Sequence, residues 1–281
     1  MLEPTVLIRP SAVALTASAL ILAACQRQEP PATAPATVEP PPIIVVAPPP
    51  VLDRAGVLQA MDVAASAYAE GREASGETLA GRRFLVRQAF GCGGSVDPAA
   101  SPIEDGTGGL VRGEKAAAPR LTLTPADWTP ALPSAEGAGA WEAAEGFWLT
   151  WPWLRAEGCP RPAAAPIEAE GVAAAAPAPA SPQSVGLAAV FDAEGSRLGR
   201  RKGRAYEFIL RGEGQAAPTL DARGYRLVLE GRMAAFADGQ AIRCRASGPD
   251  QRPVCVAAVR LERVAFETGG GQMLSEWRSP L

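Results

Sequence analysis

Cysteine and acidic side chains carry most of the chemistry open to this sequence, because none of its 281 residues is histidine. The absence of histidine excludes Ser-His, Cys-His and His-metal mechanisms. No Gly-x-Ser-x-Gly motif, P-loop or dinucleotide fingerprint occurs either. Asp127, Glu142 and Glu145 lie among tryptophans, where a carboxyl with a raised pKa could act as the acid of a glycosidase. Acids are common in surface turns, so the sequence favours a protein that is not an enzyme and has no cofactor.

The first cysteine, Cys25, follows a segment that is typical of an export signal. Ser11 to Ala24 is apolar and uncharged behind Arg9, and it is too short to form a stable transmembrane anchor. Its end, Leu22-Ala23-Ala24-Cys25, resembles the lipobox of bacterial lipoproteins. This resemblance implies cleavage before Cys25, acylation of that cysteine and anchoring to a membrane. It further implies the outer membrane, with the domain in the periplasm, because Gln26 rather than aspartate follows the cysteine. The alternative is an ordinary signal peptide with a chance cysteine.

Four cysteines remain in the mature chain: Cys92, Cys159, Cys244 and Cys255. An even number in an exported protein predicts disulfides. Cys244 and Cys255 flank a polar loop, Ala246 to Pro253, that would join two strands and bring the two sulfurs together. Cys92 then pairs with Cys159 by elimination. The alternative is a four-cysteine metal site, which the sequence disfavours because it has no Cys-x-x-Cys spacing and no histidine.

One cluster of basic residues falls in a predicted turn between two strands: Arg197, Arg200, Arg201, Lys202 and Arg204. This cationic segment could contact an anionic lipid or glycan. The preferred interpretation is a solvated hairpin end, whose charges keep the adjoining edge strands from pairing with other chains. The overall formal charge of −3 gives no indication of nucleic-acid binding.

Five of the six tryptophans are close together in the sequence: Trp128, Trp141, Trp148, Trp151 and Trp153. Aromatic faces stack on sugars, so Trp148, Trp151 and Trp153 are candidate contacts for peptidoglycan or lipopolysaccharide, although packing in a core is the preferred explanation. If Phe147 to Leu154 is a strand, Trp151 or Trp153 belongs to the core and Trp148 is the aromatic residue predicted to be partly exposed. Pro152, which lacks an amide hydrogen, then puts that strand at an edge or ends it.

These residues are distributed over three predicted regions: a signal peptide at 1–24, a lipidated and Pro/Ala-rich tether at 25–51, and a folded domain at 52–281. In an extended polyproline conformation the tether could reach on the order of 75 Å. A second Pro/Ala-rich stretch predicts a long loop at 160–184 inside the domain.

The pattern within the domain predicts one helix followed by strands. Asp53 is a suitable N-cap for a helix that runs to Gly71 and has apolar residues at Leu58, Met61, Ala65 and Tyr68. Alternating or apolar runs then predict strands near 84–90, 121–123, 185–192, 206–210, 225–236, 240–244 and 254–266. The predicted fold class is mainly β, an antiparallel sandwich or barrel with one N-terminal helix.

Taken together, the sequence favours an envelope lipoprotein that is a non-catalytic interaction or structural module. Its expected partners are the membrane, through the lipid anchor, and an envelope protein or glycan. Two alternatives stay open, a glycan-binding module that uses its tryptophans and a histidine-free glycosidase.

Overall fold

Strands account for most of the regular structure in the computed structural model of the chain. The structure describes residues 49–72, 79–93, 104–112, 118–131, 141–160, 183–193, 195, 199–212, 214 and 216–279. These residues belong to one compact unit, Pro48–Leu281. The signal peptide, Cys25, Arg197 and nearly all of the predicted loop at 160–184 lie outside the described residues, as does most of the predicted tether.

The helix α1 spans Arg54–Ala69 and precedes all of the strands. The strands are β1 (Arg83–Phe90), β2 (Gly108–Val111), β3 (Arg120–Leu123), β4 (Ala126–Asp127), β5 (Ala143–Trp148), β6 (Val185–Phe191), β7 (Tyr206–Ile209), β8 (Tyr225–Met233), β9 (Ile242–Arg245), β10 (Val254–Thr268) and β11 (Met273–Arg278). The prediction of a mainly β fold with one N-terminal helix is confirmed for the part of the chain that the structure describes.

The strands form two sheets. Eight strands make the larger sheet, in the order β1-β8-β10-β6-β5-β4, with β9 and β11 also paired to β10. The long strand β10 pairs with β9 and β6 through its first residues and with β8 and β11 through its later ones. The smaller sheet has the order β2-β3-β7. Neighbouring strands in the described residues are antiparallel, as predicted, except for β6 and β10, which are parallel.

Side chains from both sheets and from the helix meet in one core. The large sheet contributes buried residues from six of its strands, the small sheet contributes Leu121 and Leu123 of β3, and α1 contributes Leu58 and Met61. Each of these four leucine and methionine side chains is at most 1% exposed. Burying a side chain of this size is worth roughly 1.5–3 kcal/mol, so the shared core is what holds the two sheets together.

The helix begins where the sequence predicts, but it buries a different face. The Asp53 carboxylate accepts the backbone N–H of Gly56 at 2.8 Å, which satisfies a free donor of the first turn. Tyr68, predicted on the apolar face, is 41% exposed, and its hydroxyl accepts the N–H of Ala246. The buried face consists of Arg54, Val57, Leu58, Met61, Ala64 and Ala67. The buried face starts at Arg54 and shares Leu58 and Met61 with the predicted face. It is therefore rotated about the helix axis, away from Tyr68.

Arg54 fixes the segment that follows β5. Its side chain is 2% exposed and donates to three backbone carbonyls, those of Thr150 at 2.7 Å, Leu154 at 3.0 Å and Trp151 at 3.1 Å. Burial lowers the pKa of Arg54 to about 10, so the guanidinium stays charged at neutral pH. The first turn of the helix therefore holds a turn that is about 100 residues away in the sequence.

The strand predicted for Phe147 to Leu154 ends early. β5 stops at Trp148, and the Leu154 N–H donates to the Trp151 carbonyl at 2.8 Å, which closes a turn around Pro152. Trp153 is 63% exposed and Trp151 is half-buried outside the core, so the prediction of one of them in the core is wrong. Pro152 cannot donate to a ladder and Arg54 binds the freed carbonyls, which together replace strand pairing with a turn.

Both predicted disulfides are present. Cys92 is bonded to Cys159, with 5.7 Å between their Cα atoms, and Cys244 is bonded to Cys255, with 4.1 Å. Cys244 and Cys255 face each other as register partners on β9 and β10, as the polar loop between them indicated.

Within the described residues no cluster of cysteines and acids could hold a metal ion. None of the described helices is long and apolar enough to cross a membrane.

Candidate functional site

The cationic segment lies in a connection between the two sheets. It leaves β6 of the large sheet and enters β7 of the small one, so the predicted hairpin end is wrong. The chain turns tightly at Lys202 and Gly203, whose φ angles of 55° and 76° are left-handed. The Arg204 N–H closes this turn on the Arg201 carbonyl at 3.1 Å. We call residues 199–206 the arginine turn.

A buried carboxylate holds the arginine turn in place. Glu145 of β5 is 3% exposed and accepts the Lys202 N–H through Oε1 at 2.7 Å. The Arg200 Nε atom lies 3.9 Å from the same oxygen. Burial raises the pKa of Glu145, while backbone N–H groups of Lys202 and Arg201 and the nearby arginine charges oppose that rise. Glu145 therefore acts as an internal acceptor for the turn.

The other two acids of the predicted catalytic group have different surroundings. Asp127 is the cross-strand partner of Glu145, but its side chain is 64% exposed. Hydrogen bonds from the side chain and backbone of Thr129 lower the pKa of Asp127. Glu142 lies just before β5, and its backbone N–H donates to Phe191. The structure thus brings Asp127 and Glu145 together, with Arg200 within ion-pair distance of both.

The arginine turn borders a small cavity of about 120 Å³. Four arginines and two aromatic residues form most of its wall: Arg200, Arg201, Arg204, Arg278, Tyr206 and Trp277. Three of these arginines belong to the predicted cationic segment, whereas Lys202 of that segment is not part of the wall. Trp277 and Arg278 come from β11, which the sequence pattern did not predict as a strand.

The cavity wall carries positive charge that the protein neutralises only in part. Arg200 is paired with Asp127 and Arg278 with Glu276. Within the described residues neither Arg201 nor Arg204 has a carboxylate oxygen within 4.0 Å. Two guanidinium groups beside the cavity are therefore without a counter-ion in this part of the chain.

Aromatic rings in the cavity wall pack against one another and against Arg201. The Arg201 guanidinium lies 4.5 Å from the centre of the Tyr206 ring, and Trp277 packs edge-on against the same ring at 5.1 Å. Burial, followed by the charge of Glu145, raises the pKa of Tyr206 to about 12 against the opposing charge of Arg201. The phenol is therefore neutral at physiological pH and keeps its hydroxyl proton.

The clustered tryptophans do not form a single exposed surface. The ring of Trp128 covers the glycines of two neighbouring strands, Gly146 and Gly186, and Trp148 packs edge-on against it at 4.6 Å. Trp141 donates its ring N–H to the Ala235 carbonyl at 3.2 Å. Trp148 is half-buried, as is Trp151, so Trp153 is the one member of the cluster that is largely exposed. The preferred prediction of packing therefore describes most of the cluster.

The sequence predicted one side of the cavity and missed the other. Arg200, Arg201 and Arg204 stood out as a local cluster, but no spacing connects them with Arg278, which is more than seventy residues further on. The alternation of Glu276 and Arg278 with Ser275 and Trp277 is the one local pattern that indicates β11. No family model, curated protein or solved structure matches this chain.

Proposed function

We propose that the chain is an envelope lipoprotein, anchored through Cys25 to the outer membrane, and that its β-rich domain is a non-catalytic interaction module in the periplasm. The lipobox-like Leu22-Ala23-Ala24-Cys25 supports the anchor. The Pro/Ala-rich stretch from Gln26 to Pro50 supports a tether. The first helix starts directly behind that stretch, at Arg54, which fits the order of signal, tether and domain.

The environment of Glu145 is the observation that carries the non-catalytic part of the proposal. A glycosidase needs two carboxyl groups that face each other across a groove wide enough for a sugar. Glu145 has its oxygen bonded to the Lys202 N–H and is 3% exposed. Its acidic neighbour Asp127 is paired with Arg200. These bonds favour a structural role for the acids, in which they shape the arginine turn.

Substitution of Glu145 tests this role. We expect Glu145→Gln to fold with little loss of stability, because its amide oxygen can still accept the Lys202 N–H. Glu145→Ala leaves that donor unpaired and is expected to lower the free energy of unfolding by about 2 kcal/mol in urea titrations. The parent should release no more muropeptides from peptidoglycan than a blank without protein does. Neither variant should differ from the parent in this assay. Turnover by the parent that disappears in Glu145→Gln or Glu142→Gln would overturn the proposal.

A glycan-binding function is a second candidate, and it now depends on Trp153. This ring is 63% exposed on a turn that Arg54 holds through three hydrogen bonds. Gln88 adds two more, to the Thr150 N–H at 3.0 Å and the Trp148 carbonyl at 3.2 Å. An exposed aromatic ring on a turn with a fixed backbone can stack on a sugar without ordering the chain around it.

Tryptophan fluorescence tests this candidate. We expect acrylamide to quench one tryptophan preferentially, because Trp153 alone among the clustered rings is largely exposed. Trp153→Phe should remove most of the accessible fraction, whereas Trp141→Phe, which replaces a packed ring, should leave it unchanged. Soluble muropeptides or lipopolysaccharide that protect Trp153 from the quencher would support glycan binding, and unchanged quenching would exclude stacking on this ring.

A further inference from the structure

We infer that the cavity beside the arginine turn is a binding site for a phosphate group. This site rests on the proposed function as an interaction module, to which it adds a ligand class and a location. The inference depends on the cavity geometry and is independent of how the chain is anchored.

Unused hydrogen-bond donors surround the cavity. Arg204 donates through Nε to the Arg201 carbonyl at 3.2 Å, and its two terminal nitrogens have no acceptor in the described residues. Arg201 uses Nε and Nη2 on the carbonyls of Arg204 and Ala205, which leaves Nη1. The Nε atom of Arg200 is buried and has no hydrogen-bond partner within the described chain. Buried donors without partners are rare, so the Arg200 Nε atom marks a place for an acceptor, while the free nitrogens of the partly exposed Arg201 and the exposed Arg204 are open to a ligand that enters the cavity.

The arginine turn and its Arg201 side chain are held in place before a ligand binds. Glu145 fixes the backbone of the turn at Lys202, and the Tyr206 ring lies beneath the Arg201 guanidinium. The Arg201 side chain is further tied to two backbone carbonyls of its own turn. Arg201 therefore loses little side-chain entropy when a ligand binds, which favours affinity.

Charge and size favour a small oxyanion such as phosphate. Guanidinium groups bind phosphate and carboxylate through paired N–H bonds. Arg201 and Arg204 present two charges without a carboxylate within ion-pair distance in the described residues, which matches the charge of a phosphate monoester at pH 7, about −1.5 to −2. The cavity of about 120 Å³ is well below the roughly 300–1,000 Å³ of sites that enclose drug-sized ligands. It therefore fits one small oxyanion, free or at the end of a larger molecule.

Calorimetric titration of the full chain in nonionic detergent tests the site. We expect inorganic phosphate to bind with a stoichiometry of one and acetate to bind at least tenfold more weakly. Glucose 1-phosphate and vesicles that contain phosphatidic acid, both phosphate monoesters, distinguish a sugar phosphate from a lipid headgroup as the natural source. Arg204→Gln should weaken phosphate binding at least tenfold, since it removes two unused donors and is exposed enough to leave the fold intact.

A matched control separates the site from general surface charge. Arg245→Gln removes the same charge from an exposed position at the end of β9. Arg245 pairs with Val254 at the start of β10, whereas the cavity borders β10 at Val264. It should leave phosphate binding unchanged. Arg201→Gln should weaken binding at least as much as Arg204→Gln, with thermal melting as the check that it folds. No binding of phosphate, or an equal loss in Arg204→Gln and Arg245→Gln, would overturn the inference, while membrane release of Cys25→Ser would be unaffected by that failure.

Discussion

Gly146→Ala is expected to destabilise the domain by about 3 kcal/mol, at the upper end of what overpacking usually costs. A Cβ atom at Gly146 would lie 2.1 Å from Cε2 of Trp128, far inside van der Waals contact. The ring has little room to move, because it also lies close over the neighbouring Gly186, where a Cβ would be 2.5 Å from it, and Trp148 packs edge-on against it. The free energy of unfolding in urea, followed by circular dichroism, measures the effect.

Two further variants show whether Trp128 is the cause. Gly248→Ala is the matched control, since a Cβ there meets nothing within 4 Å, and its stability should stay within about 0.5 kcal/mol of the parent. In a Trp128→Ala background the Gly146 substitution should cost much less than it does alone, because the clash has been removed. A Gly146→Ala protein as stable as the parent would show that Trp128 does not lie on this glycine.

Loss of the Cys92–Cys159 disulfide is expected to cost about 4 kcal/mol in the double variant Cys92→Ser and Cys159→Ser. The bond closes a loop with a sequence separation of 67, so it removes much conformational freedom from the unfolded chain. It also ties the segment that follows the Trp153 turn to the residues just after β1. Chemical denaturation of the oxidised parent and of the double variant measures the difference.

The second disulfide provides the comparison. Cys244 and Cys255 are only 11 residues apart and lie on strands that are already hydrogen-bonded, so their replacement by serine should cost about 3 kcal/mol or less. Fluorescence of Trp153 should change in the first double variant and not in the second. A larger loss from Cys244 and Cys255 than from Cys92 and Cys159 would contradict the chain-entropy explanation.

Features of the fold that depend on local sequence were predictable. Alternation of apolar and polar residues indicated β1, β3 and β7, and Asp53 marked the start of the helix. The pairing of Cys244 with Cys255 followed from the polar loop between them. In each case residues close in sequence decide the outcome, because the period of a strand or the reach of a turn is set locally.

Features that depend on distant residues were not predictable. Arg54 resembles a surface residue in sequence, yet it is buried because three carbonyls from a turn near Pro152 accept its hydrogen bonds. The cavity joins Arg204 to Arg278 only because β10 and β11 bring the end of the chain next to the arginine turn. The parallel pairing of β6 with β10 likewise depends on distant residues, because the paired segments are apolar on both faces and such a run is typical of a buried strand without naming its partner.

The anchor at Cys25 is the central claim about where the protein acts, and the mature N-terminus tests it most directly. Intact-mass spectrometry and acyl labelling of the protein from bacterial membranes should give a chain that starts at Cys25 and carries acyl groups on it. Cys25→Ser should lack the label and leave the membrane fraction. An unlabelled parent protein, together with a Cys25→Ser variant that stays with the envelope in high salt, would contradict the account.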